Sequence, residues 1–191
     1  MSDIADLVIG VEICEPAVED AKRNAELNNV KNARFVCRAA EKELRGLLHK
    51  GRIRQVAMQI RPELFEKDGN RPIRVIAIVD PPRAGLHMKA IRALRKCIKI
   101  EKLIYVSCNP SGSLVDNAIE LCRPEVLNQK DQRTYIKGPH FDLTHAYPVD
   151  MFPHTKHCEM VMMFERGDSS GVKQVSEADN TTAVVEEVST T

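Results

Sequence analysis

The chain has 191 residues, 43% hydrophobic and 29% charged, which suits one soluble globular domain able to bury a core and excludes disordered, collagen-like and disulfide-scaffold classes. Its longest apolar runs, such as Val75 to Val79 and Met160 to Phe164, fall far short of the roughly 18 residues a spanning helix needs, and Met1 to Gly10 carries Asp3 and Asp6 rather than a signal-like basic start. An intracellular setting is expected. The 28 Lys and Arg against 27 Asp and Glu hide an asymmetry: residues 167 to 191 hold one Lys and five acids, leaving 27 basic and 22 acidic residues before them, a surplus compatible with RNA and equally with an ordinary enzyme surface.

Leu7 to Val11 reads as a strand ending at Glu12, and Pro16 opens a helix to about Asn28, with Val18, Ala21 and Ala25 at helical spacing. Arg34 to Cys37 follows as a second strand and Ala40 to Lys50 as a second helix, with Leu44, Leu47 and Leu48 on one face and Gly51 beyond its end. Arg52 to Arg71, charge-rich and containing Pro62 and Gly69, reads as an insertion or long connection. Val75 to Val79 has the continuous β-branched pattern of a strand buried on both faces. Ile91, Leu94 and Ile98 mark the next helix, Leu103 to Val106 the next strand and Leu114 to Leu121 another helix, and Ala146 to Asp150 and Cys158 to Phe164 read as closing strands. Strands alternating with helices imply an α/β layered sheet, mostly parallel in its first part. From Gly167 onward Ser, Thr, Val and acids recur without period, so residues 1–166 form the expected domain and 167–191 a flexible acidic tail.

Six cysteines occur without a CxxC pair, which favours reduced thiols, most of them small buried side chains. His154, His157 and Cys158 cluster, yet adjacent residues on a strand point to opposite faces, so a zinc site is not expected.

Ligands of open α/β sheets gather at the carboxyl ends of strands, and Glu12, Asp80 and Cys108 all sit at such ends. An acid at the position of Glu12 suits ribose hydroxyls, although a plain strand-end acid or a cap has the same signature. Asp80 precedes Pro81 and Pro82, a segment of fixed φ with two missing donors that forms a rigid wall for a flat ligand, or simply a turn. Cys108 lies in Ser107-Cys108-Asn109-Pro110, where a thiolate could attack an electrophilic carbon; a structural thiol is the alternative.

The segments Asp80-Pro81-Pro82-Arg83-Ala84-Gly85-Leu86, Ser107-Cys108-Asn109-Pro110 and His157-Cys158-Glu159 resemble, in order and spacing, those of the RNA 5-methyluridine methyltransferases. The resemblance covers about Val8 to Arg166. It implies a Rossmann-like α/β sheet, S-adenosylmethionine as cofactor, RNA, in particular tRNA, as partner, and tRNA (uracil-5-)-methyltransferase activity. Cys108 would be the nucleophile toward uracil carbon 6, Glu159 the base that removes the carbon 5 proton, Glu12 a holder of the cofactor ribose, and Asp80 a lining group between cofactor and uracil.

The family pattern also carries a Gly-rich loop after a first strand, ahead of the segment matching Val8 to Glu12. Here Gly10 has no glycine neighbour until Gly46, so the sheet is expected to lack its first strand and Gly-rich loop and the chain to correspond to the carboxyl-terminal part of such an enzyme. The alternative function is a catalytically incompetent remnant that binds RNA or a partner. A cysteine hydrolase fits less well, because no His is evidently placed beside Cys108 at another strand end.

Overall fold

Alternating apolar periodicities of about two and 3.6 residues produce alternating strands and helices along most of the chain. The computed structural model describes residues 4–47, 52–66, 69, 72–124 and 137–167. In order these form β1 (Val8–Glu12), α1 (Glu15–Leu27), β2 (Ala33–Cys37), α2 (Ala40–Leu47), α3 (Arg52–Ile60), a 3-10 turn at Pro62–Phe65, β3 (Val75–Val79), α4 (Met88–Lys96), β4 (Ile100–Ser107), α5 (Ser113–Cys122), β5 (Phe141–Val149) and β6 (Glu159–Arg166). The acidic tail expected at 167–191 lies outside the described residues beyond Gly167.

The strands divide into two groups. β1 pairs in parallel with β2, and a four-stranded sheet runs β3-β4-β6-β5, with β3 and β4 parallel and β6 antiparallel to both its neighbours. A doubly wound sheet has the order 3-2-1-4-5, which sets its first strand between the second and the fourth. Here β2-β1 and β3-β4 match the two flanks of that position, and among the described residues β1 and β3 each pair along one edge. The fold is thus a Rossmann-like α/β arrangement whose described strands are interrupted between β1 and β3.

Leu103, Tyr105 and Ser107 of β4 alternate inward and meet Ile91 and Leu94 of α4 and Leu114 and Leu121 of α5. Burial of each such aliphatic side chain contributes about 2 kcal/mol. Two arginines close this layer. Arg95, fully buried, donates to the carbonyls of Glu120, Arg123 and Gly138, so it satisfies the end of α5. Arg166 donates to the carbonyls of Leu94, Arg95, Cys97, Ile100 and Pro139 and lies 3.8 Å from the centre of the Phe141 ring. Helix carbonyls that have no partner inside α4 find one in this guanidinium.

Three sequence expectations are corrected. Residues 52–66 are not an open connection: Ile53, Ala57 and Ile60 recur at helical spacing, Ala57 and Phe65 are buried, and Arg54 stacks over Phe65. The pattern is masked by Arg52 and Arg54, which flank the apolar stripe of α3. β3 is not buried on both sides, because Ile76 and Ile78 remain 63% and 46% exposed beside the interruption. Of the six cysteines only Cys97 is buried, while Cys14 and Cys37 are exposed and the other three are intermediate.

Candidate active site

Sheet register decides which of the strand-end residues meet. β3 gives way after Val79 to Asp80-Pro81-Pro82, whose two prolines cannot continue the ladder. Val79 pairs in parallel with Tyr105, so Asp80 is level with Val106 and leaves the sheet beside the end of β4. β6 runs the other way, and its Met160 pairs with Ser107. The next residues along that register are Cys108, the bend that follows β4, and Glu159, which opens β6. Asp80, Cys108 and Glu159 therefore share one edge of the four-stranded sheet. Glu12 ends β1, in the two-stranded sheet, and its Oε1 accepts the backbone N–H groups of Ile13 and Cys14 at 2.7 and 2.8 Å.

The loops around this edge are tied to each other. The Arg83 carbonyl accepts Ser113 Oγ at 2.7 Å and Asn109 Nδ2 at 3.2 Å, and Asn109 N donates to Ser107 Oγ at 3.1 Å. Gly112 makes room for the Asn109 amide, since a Cβ there would stand 2.5 Å from Nδ2. Gly85, with φ of 79°, takes a left-handed turn against Ser113 and Asn117. Asn109, Ser113 and Asn117 were not singled out by sequence as loop anchors. Their polar character inside an apolar helix pattern is the signal that marks Ser113 and Asn117.

The loop before β6 is also set by its own hydrogen bonds. Asp150 Oδ1 accepts Phe152 N, the Phe152 carbonyl accepts the Thr155 hydroxyl, and Thr155 Oγ1 accepts His157 N. Phe152 meets the His157 ring edge to face, and His154 sits at φ of 63°. Cys108 and Cys158 are both half-buried, and Cys158 Sγ is directed at the carbonyls of Glu159 and Val149.

Glu159 is 9% exposed. The surface lysine on its strand neighbour, Lys102, pairs with Glu165 instead, and among the described residues no donor reaches the Glu159 carboxylate. A bland structural role for this acid, as half of a surface ion pair, is therefore not what the geometry provides. Among the described residues the Glu159 oxygens are not fully buried atoms without a partner, so the carboxylate, though mostly covered, still meets solvent at this end of the sheet. Among the described residues no group of three His, Cys, Asp or Glu is gathered as metal ligands, and no helix is long and apolar enough to cross a membrane.

Comparison with known proteins fits this arrangement. A family profile described as tRNA (Uracil-5-)-methyltransferase matches residues 1–167. The chain belongs to the tRNA (uracil-5-)-methyltransferase family. It is 39% identical over 159 residues to the tRNA (uracil-5-)-methyltransferase homolog A of Mus musculus, covering 83% of this chain and 22% of that protein. With homolog B of Mus musculus the identity is 41% over 162 residues, covering 85% and 28%. The chain thus spans about a quarter of the length of these relatives. Among solved structures, an rRNA methylase from Streptococcus thermophilus aligns with a TM-score of 0.46 at 15% identity, over 86% of this chain and 76% of that one. Within the tRNA (uracil-5-)-methyltransferase family, the Asp-Pro-Pro-Arg, Ser-Cys-Asn-Pro and His-Cys-Glu segments of this member come from β3, β4 and β6, three strands adjacent in the sheet.

Proposed function

We propose that this chain carries the catalytic edge of an S-adenosylmethionine-dependent tRNA (uracil-5-)-methyltransferase that works through a covalent cysteine adduct. Cys108 Sγ bonds to carbon 6 of a uracil turned out of its RNA stack, and the electron pair of the carbon 5–carbon 6 double bond moves to carbon 5 and the neighbouring carbonyl. S-adenosylmethionine, when bound, would supply the methyl group to carbon 5, its sulfur–methyl bond breaking to leave S-adenosylhomocysteine. Glu159 then takes the proton from carbon 5, the double bond re-forms, and the carbon 6–sulfur bond breaks to return Cys108 as thiolate. Pro81 and Pro82 offer a flat wall without donors against which the ring can lie.

The single observation that supports this reading best is the mostly covered carboxylate of Glu159 at the same end of the β4–β6 register as Cys108. For the cofactor, the available donor set is that of its ribose end: the exposed carboxylate of Glu12, and that of Asp80, which has no partner among the described residues. Both fit hydroxyl groups. The interruption between β1 and β3 favours a second reading, a chain that keeps the fold and contacts RNA or a partner without turnover. Calorimetry with S-adenosylmethionine tests the two: saturable binding that Glu12→Ala and Asp80→Ala weaken supports the enzyme, and no heat from the chain supports the remnant.

A further inference from the structure

We infer that Asn117 is a positioning residue of this site, holding the Asp80–Leu86 loop at a fixed place relative to Cys108. The inference rests on the methyltransferase reading for its purpose, and on hydrogen-bond geometry for its substance. Asn117 lies on α5, 8% exposed. Its Oδ1 accepts Leu86 N at 2.6 Å and the Tyr105 hydroxyl at 2.8 Å, while its Nδ2 reaches the Leu86 carbonyl at 3.5 Å. One side-chain amide therefore pairs with both backbone groups of Leu86, as a neighbouring strand would. Tyr105 is fully buried, and burial pushes its phenol up to about 12, so its hydroxyl donates throughout the neutral range.

Ser113 lies one helical turn before Asn117 and grips the same loop at the Arg83 carbonyl. α5 starts directly after the Cys108 turn, so the helix that follows the nucleophile also holds the proline wall. The loop has little means of fixing itself: Pro81 and Pro82 lack N–H groups, and its internal tie is the Gly85 N–H to the Pro82 carbonyl at 2.7 Å. A side chain at Gly85 would collide with Asn117 Oδ1 and Ser113 Cβ, each 2.8 Å from the added carbon, so loop and helix are in direct contact. Addition of sulfur to a flat ring needs an approach of about 3 to 3.5 Å in a defined direction, and a displacement of about 1 Å costs on the order of 100-fold in rate. Asn117 and Ser113 are what prevent that displacement.

The test uses the full 191-residue chain with Asn117→Leu, which keeps the volume and removes the bonds, and Asn117→Asp, which keeps the oxygens that accept from Leu86 and Tyr105. Amide hydrogen exchange is read at Leu86, and iodoacetamide alkylation is read by peptide mass spectrometry at Cys108 and Cys97 across a pH series. Asn117→Leu should speed Leu86 exchange about tenfold, the worth of one hydrogen bond, and shift the Cys108 alkylation profile while Cys97 stays protected. Asn117→Asp, which keeps the acceptor for Leu86 N and Tyr105 but loses the longer Nδ2 bond to the Leu86 carbonyl, should exchange at Leu86 more slowly than Asn117→Leu and return the Cys108 profile toward the parent. A general loss of stability would instead expose Cys97 together with Cys108 and would overturn the inference, as would a folded Asn117→Leu with parent rates at Leu86 and Cys108. Should Asn117→Leu fail to fold, Asn117→Ser carries the same outcomes. No cofactor or RNA enters these readouts, so their failure and the failure of the methyltransferase reading are separate results.

Discussion

Cys108 and Glu159 are the next residues at the end of the β4–β6 ladder, one step beyond the Ser107–Met160 pair. The antiparallel sense of β6 makes this meeting possible. A parallel strand at that place would begin at the far end of the sheet and carry Glu159 away from Cys108. Replacing Glu159 by Gln keeps the shape and removes the proposed base. In a hybrid in which this chain replaces the stretch it matches in the mouse homolog B, Glu159→Gln should slow turnover by about 100-fold to 10,000-fold and let the methylated cysteine adduct accumulate on denaturing gels. Normal turnover in that variant would move the role elsewhere, with His157 in the loop before β6 the next candidate.

Tyr105 gives the fold a measurable dependence on alkaline pH. Burial raises its phenol from the ordinary 10 to about 12, so the folded state holds the proton where the unfolded state has lost it. Stability from this group is complete below pH 10 and is lost as pH rises through 12. Denaturant titrations across that window should show a smaller decline for Tyr105→Phe than for the parent, and a neutral-pH cost of about 1 kcal/mol for the lost bond to Asn117. Equal slopes would contradict the buried, donating phenol.

Arg166 uses its five N–H groups on five carbonyls. Arg166→Met, similar in length but without donors, leaves the end of α4 unsatisfied and should lower unfolding free energy by about 3 kcal/mol. Arg166→Lys, with one compact ammonium in place of the planar fork, should recover less than half of that. Chemical denaturation measures both; a loss within experimental scatter for Met would mean that water replaces the guanidinium without cost.

Much of the site was legible because its chemistry lies at strand ends, where a change from apolar run to polar residue marks the boundary: Glu12 after Val8–Val11, Asp80 after Val75–Val79, Cys108 after Ile100–Ser107. The two-sided burial read from Val75–Val79 was not realised, since that pattern encodes neighbours on both faces and Ile76 and Ile78 lack them here. α3 escaped notice because its apolar stripe, Ile53, Ala57 and Ile60, is narrow and flanked by arginines. Asn117 could not be assigned a partner from sequence, because its contacts with Leu86 and Tyr105 are 31 and 12 residues away.

The one-sided pairing of β1 and β3 and the exposure of Ile76 and Ile78 bear on the behaviour of the chain by itself. Free strand edges and bare apolar faces template association. The 191-residue chain should bind a hydrophobic dye, self-associate with rising concentration, and, on the proposed reading in which Glu12 and Asp80 hold the ribose end alone, bind S-adenosylmethionine weakly. Tight saturable binding in calorimetry together with a sharp two-state melt would show that the interrupted sheet is self-sufficient.

The assignment of Cys108 as nucleophile is tested most directly by trapping. RNA containing 5-fluorouridine, given with S-adenosylmethionine to the same hybrid, leaves fluorine on carbon 5 where a proton would depart, so the sulfur–carbon 6 bond cannot be released. Peptide mass spectrometry should find the nucleotide on Cys108 and on none of Cys14, Cys37, Cys97, Cys122 or Cys158, and Cys108→Ala should abolish the adduct. An adduct that persists in Cys108→Ala, or maps to Cys158, would contradict the account.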